Sequence, residues 1–224
     1  MSEPAEQTVA DLMVRQVHTV VPTTPFKEMV GTMICQDTDI LPVIDLDGRP
    51  AGVVTESDLM AKLEFRAGAD RPSLLAGSRG RARWHKASGV AAADVMTGPP
   101  IVIGARSGAG VAARRLAAHQ VRQLCVVDDA GLLIGLLCRQ HLLRPFRRGD
   151  PAIHADLWRR LAECRHLADC CDVEVADGVV TLTGAVRLRS HAEQAIREAH
   201  ETAGVIAVRN RMHYDFDDYM ITGM

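Results

Sequence analysis

Apolar residues along this chain switch between a helical and a strand period, and the order of the switches recurs. Val9 to Val14 reads as a short helix, followed by an extended Val17-His18-Thr19-Val20-Val21 that Pro22 closes. From Thr24-Pro25 onward, Phe26, Met29, Val30, Met33 and Ile34 fall on one face at helical spacing. Ile40-Leu41-Pro42-Val43-Ile44 has the length and continuity of a buried strand. Asp45 to Gly48 is a turn and Ala51-Gly52-Val53-Val54 a second strand. Thr55-Glu56-Ser57-Asp58 then opens a helix through Leu59, Leu63 and Phe65. The predicted order is strand, helix, strand, strand, helix.

The same order returns further along. Asp11-Leu12-Met13 recurs as Asp94-Val95-Met96, Asp45 to Gly48 as Asp128-Asp129-Ala130-Gly131, and Gly52-Val53-Val54 as Gly135-Leu136-Leu137, each offset by 83 positions. One supersecondary unit is therefore present twice. The second copy runs through Ile101-Val102-Ile103, a helix from Ser107 to His119, strands around Leu124–Val127 and Leu132–Leu137, and a helix from Arg139 to Phe146. Two such units commonly pack about a pseudo-twofold axis with paired clefts between them.

Beyond Arg147-Arg148-Gly149-Asp150-Pro151 the pattern changes. Ile153, Leu157, Leu161 and Ala168 stripe one helix. Two alternating strands, Val173–Val175 and Val179–Gly184, flank the tight turn Asp177-Gly178. Leu188, Ala192, Ala195, Ile196 and Ala199 stripe a second helix, and Gly204 to Val208 begins a last strand. This is a small helix, strand, strand, helix, strand unit with its own core.

Between the two copies, Arg66 to Gly89 carries Gly, Ser and six basic side chains (Arg66, Arg71, Arg79, Arg81, Arg83 and Lys86) against the one acid Asp70. It reads as a solvated linker, and such a run can also meet phosphates or an acidic partner. With a net charge of −2, there is no global attraction to nucleic acid or anionic lipid, and two Trp, two Tyr and four Phe leave few base-stacking platforms. Met1 to Gln7 lacks the basic start and apolar run of a secretory signal, and no apolar stretch approaches the ~20 residues of a membrane span. The expected location is cytoplasmic, with reduced thiols. Cys35, Cys125 and Cys138 lie in apolar segments and are expected buried. Cys164, Cys170 and Cys171 lack zinc-site spacing; the vicinal pair is a redox candidate or simply structural. No Ser-His-Asp order, HExxH, P-loop or paired-carboxylate pattern is visible, so no enzyme and no metal site are expected.

Both copies resemble CBS domains, in the Asp-x-Met entry, the apolar strand ending in Asp, and the Gly-apolar-apolar strand that runs into a helix. The third part is similar to a BON domain, in Asp177-Gly178-Val179-Val180-Thr181-Leu182-Thr183-Gly184, Gly204-Val205 and Val208-Arg209-Asn210. The expected fold class is α/β (α+β): tandem CBS units at 8–65 and 90–147 related by a pseudo-twofold axis, a basic linker at 66–89, an αββαβ BON-like domain at 152–214 and an acidic tail at 215–224. The tail, with Asp215, Asp217 and Asp218, is expected to fray or to dock on a partner.

CBS pairs of this kind bind adenosine nucleotides where the last strand meets its helix, here Gly52 to Asp58. Helix-N-terminal N–H groups suit a phosphate, the hydroxyls of Thr55 and Ser57 can donate to it, and Asp58 can accept from a ribose diol. The resemblance gives Thr55 and Asp58 these roles and implies that Thr19, Val20 and Val53 frame the adenine. The same atoms also fit a plain capping box, Thr55-x-x-Asp58, and both readings stand at this point. In the second copy Cys138 and His141 replace the hydroxyl and the carboxylate, leaving Val102, Arg139 and His141 as a weaker site. The resemblance implies a non-catalytic regulatory sensor, with AMP, ADP, ATP or S-adenosylmethionine as regulatory ligand and no required cofactor. The CBS module is expected to form a homodimer. The BON-like domain would serve as output or as attachment to a protein or phospholipid partner. The alternative is a ligand-independent dimeric scaffold.

Overall fold

The computed structural model describes residues 7–68, 70, 77–167 and 170–219. The chain divides into two compact units, one made by Val9–Arg139 and one containing Gln140–Met224. In the first, one copy of the repeat supplies α1 (Val9–Leu12), α2 (Phe26–Cys35), β1 (Ile40–Ile44), β2 (Pro50–Thr55) and α3 (Glu56–Glu64). After α4 (Ser78–Ala87), the second copy supplies α5 (Ala92–Val95), β3 (Val102–Gly104), α6 (Ala109–Ala118), β4 (Gln123–Val127), β5 (Leu133–Cys138) and the start of α7 (Arg139–Leu143).

The sequence offset is reproduced in the backbone. β1 and β2 pair antiparallel with Ile40 opposite Thr55, and β4 and β5 with Gln123 opposite Cys138; the register shifts at Val43/Ile44 and again at Val126/Val127. Every one of these partners is displaced by 83 positions from its counterpart. The turns agree as well. Asp45 Oδ1 accepts from the N–H groups of Asp47 and Arg49, and Asp128 Oδ1 from those of Ala130 and Leu132. Gly48 and Gly131 close them at φ +80° and +82°, a left-handed conformation that favours glycine. β3 pairs parallel with β4, whereas its first-copy counterpart makes a single parallel bridge, Val20 to Val43.

The two copies exchange their entry segments. Val53 bridges Thr97 of the second copy, and Leu136 bridges Val14 of the first. Ala92 and Val95 of α5 are fully buried in the first copy's core, with Met29, Leu41, Val43 and Val54. On the other side, the N–H groups of Val9 and Ala10 donate to the carbonyls of Ser107 and Ala105. A Cβ on Gly52 would stand 2.7 Å from Met96 Sδ, and one on Gly135 2.6 Å from Met13 Sδ. Both glycines are needed for this close approach. Neither contiguous copy is thus a packing unit by itself.

Several expectations change. Ile34 and Leu63 are 75% and 78% exposed, so the α2 and α3 stripes extend past the buried face, and Cys35 is exposed while Cys125 is buried. Cys138 is half-buried. The expected solvated linker contains α4, packed on α3. Ala87 is fully buried at its end, and Lys62 donates to the Ala87 carbonyl at 3.1 Å. His85 and Lys86 in its last turn complement the negative end of the helix dipole. Arg71, and the side chain of Arg79, lie outside the described residues.

The second unit contains α8 (Asp150–Glu163), β6 (Cys171–Ala176), β7 (Val179–Leu188), α9 (Arg189–Glu201) and β8 (Ala207–Phe216). β7 is central, antiparallel to β6 and parallel to β8. Ile153, Leu157 and Leu161 of α8 meet Val180, Leu182 and Ala195 in one core; Ala168, expected on that stripe, lies outside the described residues. Asp177 and Gly178 turn at φ 50° and 73°, and both their N–H groups donate to the Asp150 carboxylate. The acidic segment is ordered further than expected. Asp215 and Phe216 end β8, Asp217 accepts from Arg189, and Asp218 accepts from the Ser190 N–H.

Candidate functional site

α3 begins where β2 ends, and its first turn is held by a complete capping box. The Thr55 N–H and hydroxyl both donate to Asp58 Oδ2, at 2.9 and 2.7 Å, and the Asp58 N–H donates back to the Thr55 hydroxyl at 3.4 Å. The capping reading of Thr55-x-x-Asp58 is therefore realised in the structure. That leaves one Asp58 oxygen for other partners.

That oxygen is taken by the protein itself. Lys86, at the end of α4, donates to Asp58 Oδ1 at 2.7 Å and to the Thr97 hydroxyl at 2.6 Å. The two side chains of the ion pair are only 16% and 14% exposed. Charge-assisted bonds in such a half-dry place are stronger than neutral ones. Beside it, Arg83 donates to the Ser57 hydroxyl at 3.0 Å and forms an ion pair with Glu64. Ser57 and Asp58, both expected to face a ligand, are thus engaged by α4, as is Glu64 further along α3. Lys86 and Arg83 were legible only as charges in a linker. Nothing in their spacing marked them as partners of Asp58.

The remaining first-site residues lie in three settings. Val53 stays near the α3 mouth, bridged to Thr97, whose hydroxyl holds Lys86. Val20 is buried in the core against Val43. Thr19 lines a different place, a cleft of about 380 Å³ with Arg15, Val17, Asp47 and the second copy's Leu132–Gly135. Val14, early in the entry, lies against Leu136 of the second copy's last strand, whereas Val20 lies against the first copy's own Val43, so Thr19 stands where the two copies meet.

The weaker second-site residues have separate surroundings. Val102 lies exposed on β3, its carbonyl accepting from Arg115 at 2.6 Å. Arg139 Nε donates to the Val121 carbonyl at 3.2 Å. His141, half-buried in α7, has its pKa lowered first by burial and then by the neighbouring Arg144 charge. Burial alone pushes the Cys125 thiol up to about 12, and mainly burial takes Cys171 to about 11, so neither is a ready nucleophile. Among the described residues no group of three or more His, Cys, Asp or Glu side chains could hold a metal ion. Among them also, no helix is long and apolar enough to cross a membrane.

Residues 9–64 and 92–147 match the CBS domain. The chain belongs to the CBS-domain family. Its residues 150–215 match the BON domain. Over 149 residues it is 29% identical to the CBS domain-containing protein CBSX1, chloroplastic, of Arabidopsis thaliana, covering 61% of this chain and 63% of that protein. CBSX2, chloroplastic, of the same plant is 30% identical, over 61% and 62% of the two chains. The matched stretch thus spans less than two thirds of either relative. Among solved structures, CBSX2 in complex with AMP is similar at TM-score 0.52 and 29% identity, over 61% of this chain and 94% of that one. The CBS domain pair of protein MJ0100, in complex with 5′-methylthioadenosine and S-adenosyl-L-methionine, is similar at TM-score 0.50 and 17% identity, over 63% and 97%. That second likeness is one of fold.

Proposed function

We propose that the CBS pair is a non-catalytic regulatory receptor for an adenine-containing nucleotide, with the first-copy site at Thr55, Ser57 and Asp58. The observation that carries this reading is the carboxylate of Asp58, one turn inside a helix N-terminus, next to a second-copy hydroxyl (Thr97) and held by a cation. A ribose diol needs an acceptor of that kind, and a phosphate needs positive charge beside it. The AMP complex of CBSX2, at 29% identity, supports the choice of ligand class. The CBS module forms the homodimer and the BON domain is the output or attachment element, in a cytoplasmic protein. A ligand shifts such a module only through different affinity for its two states.

Calorimetric titration with AMP, ADP, ATP and S-adenosylmethionine tests the reading. At least one binds the wild type, and Asp58→Ala weakens it about tenfold, which is ~1.4 kcal/mol. No heat with any of the four sinks it. A ligand-independent dimeric scaffold is then the better description, and one observation favours it: both oxygens of Asp58 already have partners within the chain.

A further inference from the structure

We propose that α4 is a latch on the first-copy site: Lys86 occupies the Asp58 oxygen that a ribose diol needs, so a nucleotide enters only as α4 lets go. This rests on the receptor reading above and names how that site is controlled. Asp58 Oδ2 already accepts twice from the cap, from the Thr55 N–H and hydroxyl. Oδ1 is the remaining acceptor, and the Lys86 ammonium holds it at 2.7 Å while also holding Thr97 at 2.6 Å. A neutral sugar hydroxyl cannot displace an ammonium from a carboxylate on equal terms, because the ammonium adds the attraction of opposite charges to its hydrogen bond.

The latch has an outer and an inner hold. Arg83 secures α4 from outside through Ser57 and Glu64, and Lys86 secures it from inside. A phosphorylated ligand changes the balance. It offers the released lysine an anion in place of Asp58, which an unphosphorylated nucleoside does not. The latch therefore both sets the affinity and selects for a phosphate. The apparent dissociation constant equals the intrinsic one divided by the unlatched fraction, so loosening the latch raises affinity without touching any ligand contact.

The test uses the full chain, with AMP and adenosine titrated by calorimetry and the amides of residues 78–87 followed by hydrogen exchange. In the wild type, saturating AMP speeds exchange in α4 about tenfold, and AMP binds more tightly than adenosine. Lys86→Met binds adenosine about five to ten times more tightly than the wild type does, and the preference for AMP over adenosine collapses. Arg83→Gln, which leaves Asp58 and its cap intact, tightens both ligands two- to threefold and guards against a folding defect in the first variant. If AMP binds the wild type but α4 keeps its protection and neither variant tightens adenosine, the latch is wrong and the receptor reading survives. If no adenine ligand binds the wild type or either variant, the receptor reading itself is wrong and the latch falls with it.

Discussion

The two CBS copies share a backbone and differ at the junction where function is sought. Their strand registers, turn carboxylates and glycine contacts correspond pair by pair. At the strand–helix junction the first copy has Thr55 and Asp58, a full capping box and a nine-residue helix whose Leu59 and Ala61 are buried. The second has Cys138 and His141 there and a five-residue α7 with no buried side chain, followed by a short 3₁₀ turn at Arg144–Arg147. A thiol accepts poorly and an imidazole cannot take two backbone-directed bonds as a carboxylate does. The difference teaches that the scaffold is fixed by packing, while the junction residues vary without disturbing it.

The largest effect expected is one the copies share. Gly52→Val and Gly135→Val each drive a side chain into a methionine sulfur 2.7 or 2.6 Å away. Each costs about 3 kcal/mol, the upper end of overpacking penalties. Denaturant unfolding of the two variants checks this, and a difference above about 1 kcal/mol between them breaks the claim of an equivalent scaffold. At the junction the copies part. Asp58→Ala removes a cap and strands Lys86, costing about 2 kcal/mol, whereas His141→Ala costs about 1 kcal/mol or less. Equal losses in the same unfolding assay would erase the contrast drawn above.

The smallest effect is a gain. Grafting the first junction onto the second, as Cys138→Thr with His141→Asp, installs the hydroxyl–carboxylate capping pair of the first copy and adds about 0.5–1 kcal/mol. The double variant is compared with each single change, since a capping box works only as a pair. A double variant no more stable than Cys138→Thr alone means that something other than the cap limits α7.

Much of the fold was readable in the chain because each signal was local or strictly repeated. Apolar runs of strand length gave β1, β2, β4 and β5, and Asp177-Gly178 gave the hairpin of the BON domain, since few residues tolerate two successive positive φ values. The stripes overreached at Ile34 and Leu63 because periodicity marks a face without saying how far its partner extends. The helix at Ser78–Ala87 was hidden by its composition. Its sequence carries a Gly and five basic positions, and the helix is held from outside, through Lys62, Arg83, Lys86 and the buried Ala87.

The candidate site was half legible for the same reason. Thr55 and Asp58 are three residues apart and meet within one helical turn, so their pairing followed from spacing. Thr19 and Asp58 are far apart in sequence, so their spacing says nothing about whether they meet.

The chain by itself determined the duplicated unit, its turns, the capping pair and the separate third domain, all of which arise from short-range geometry or exact repetition. Tertiary packing decided which copy receives each entry segment, and that a linker lysine rather than water faces Asp58. Those outcomes depend on contacts across 28 residues for Lys86 and Asp58, and on exchange between the two halves, where no local propensity reaches.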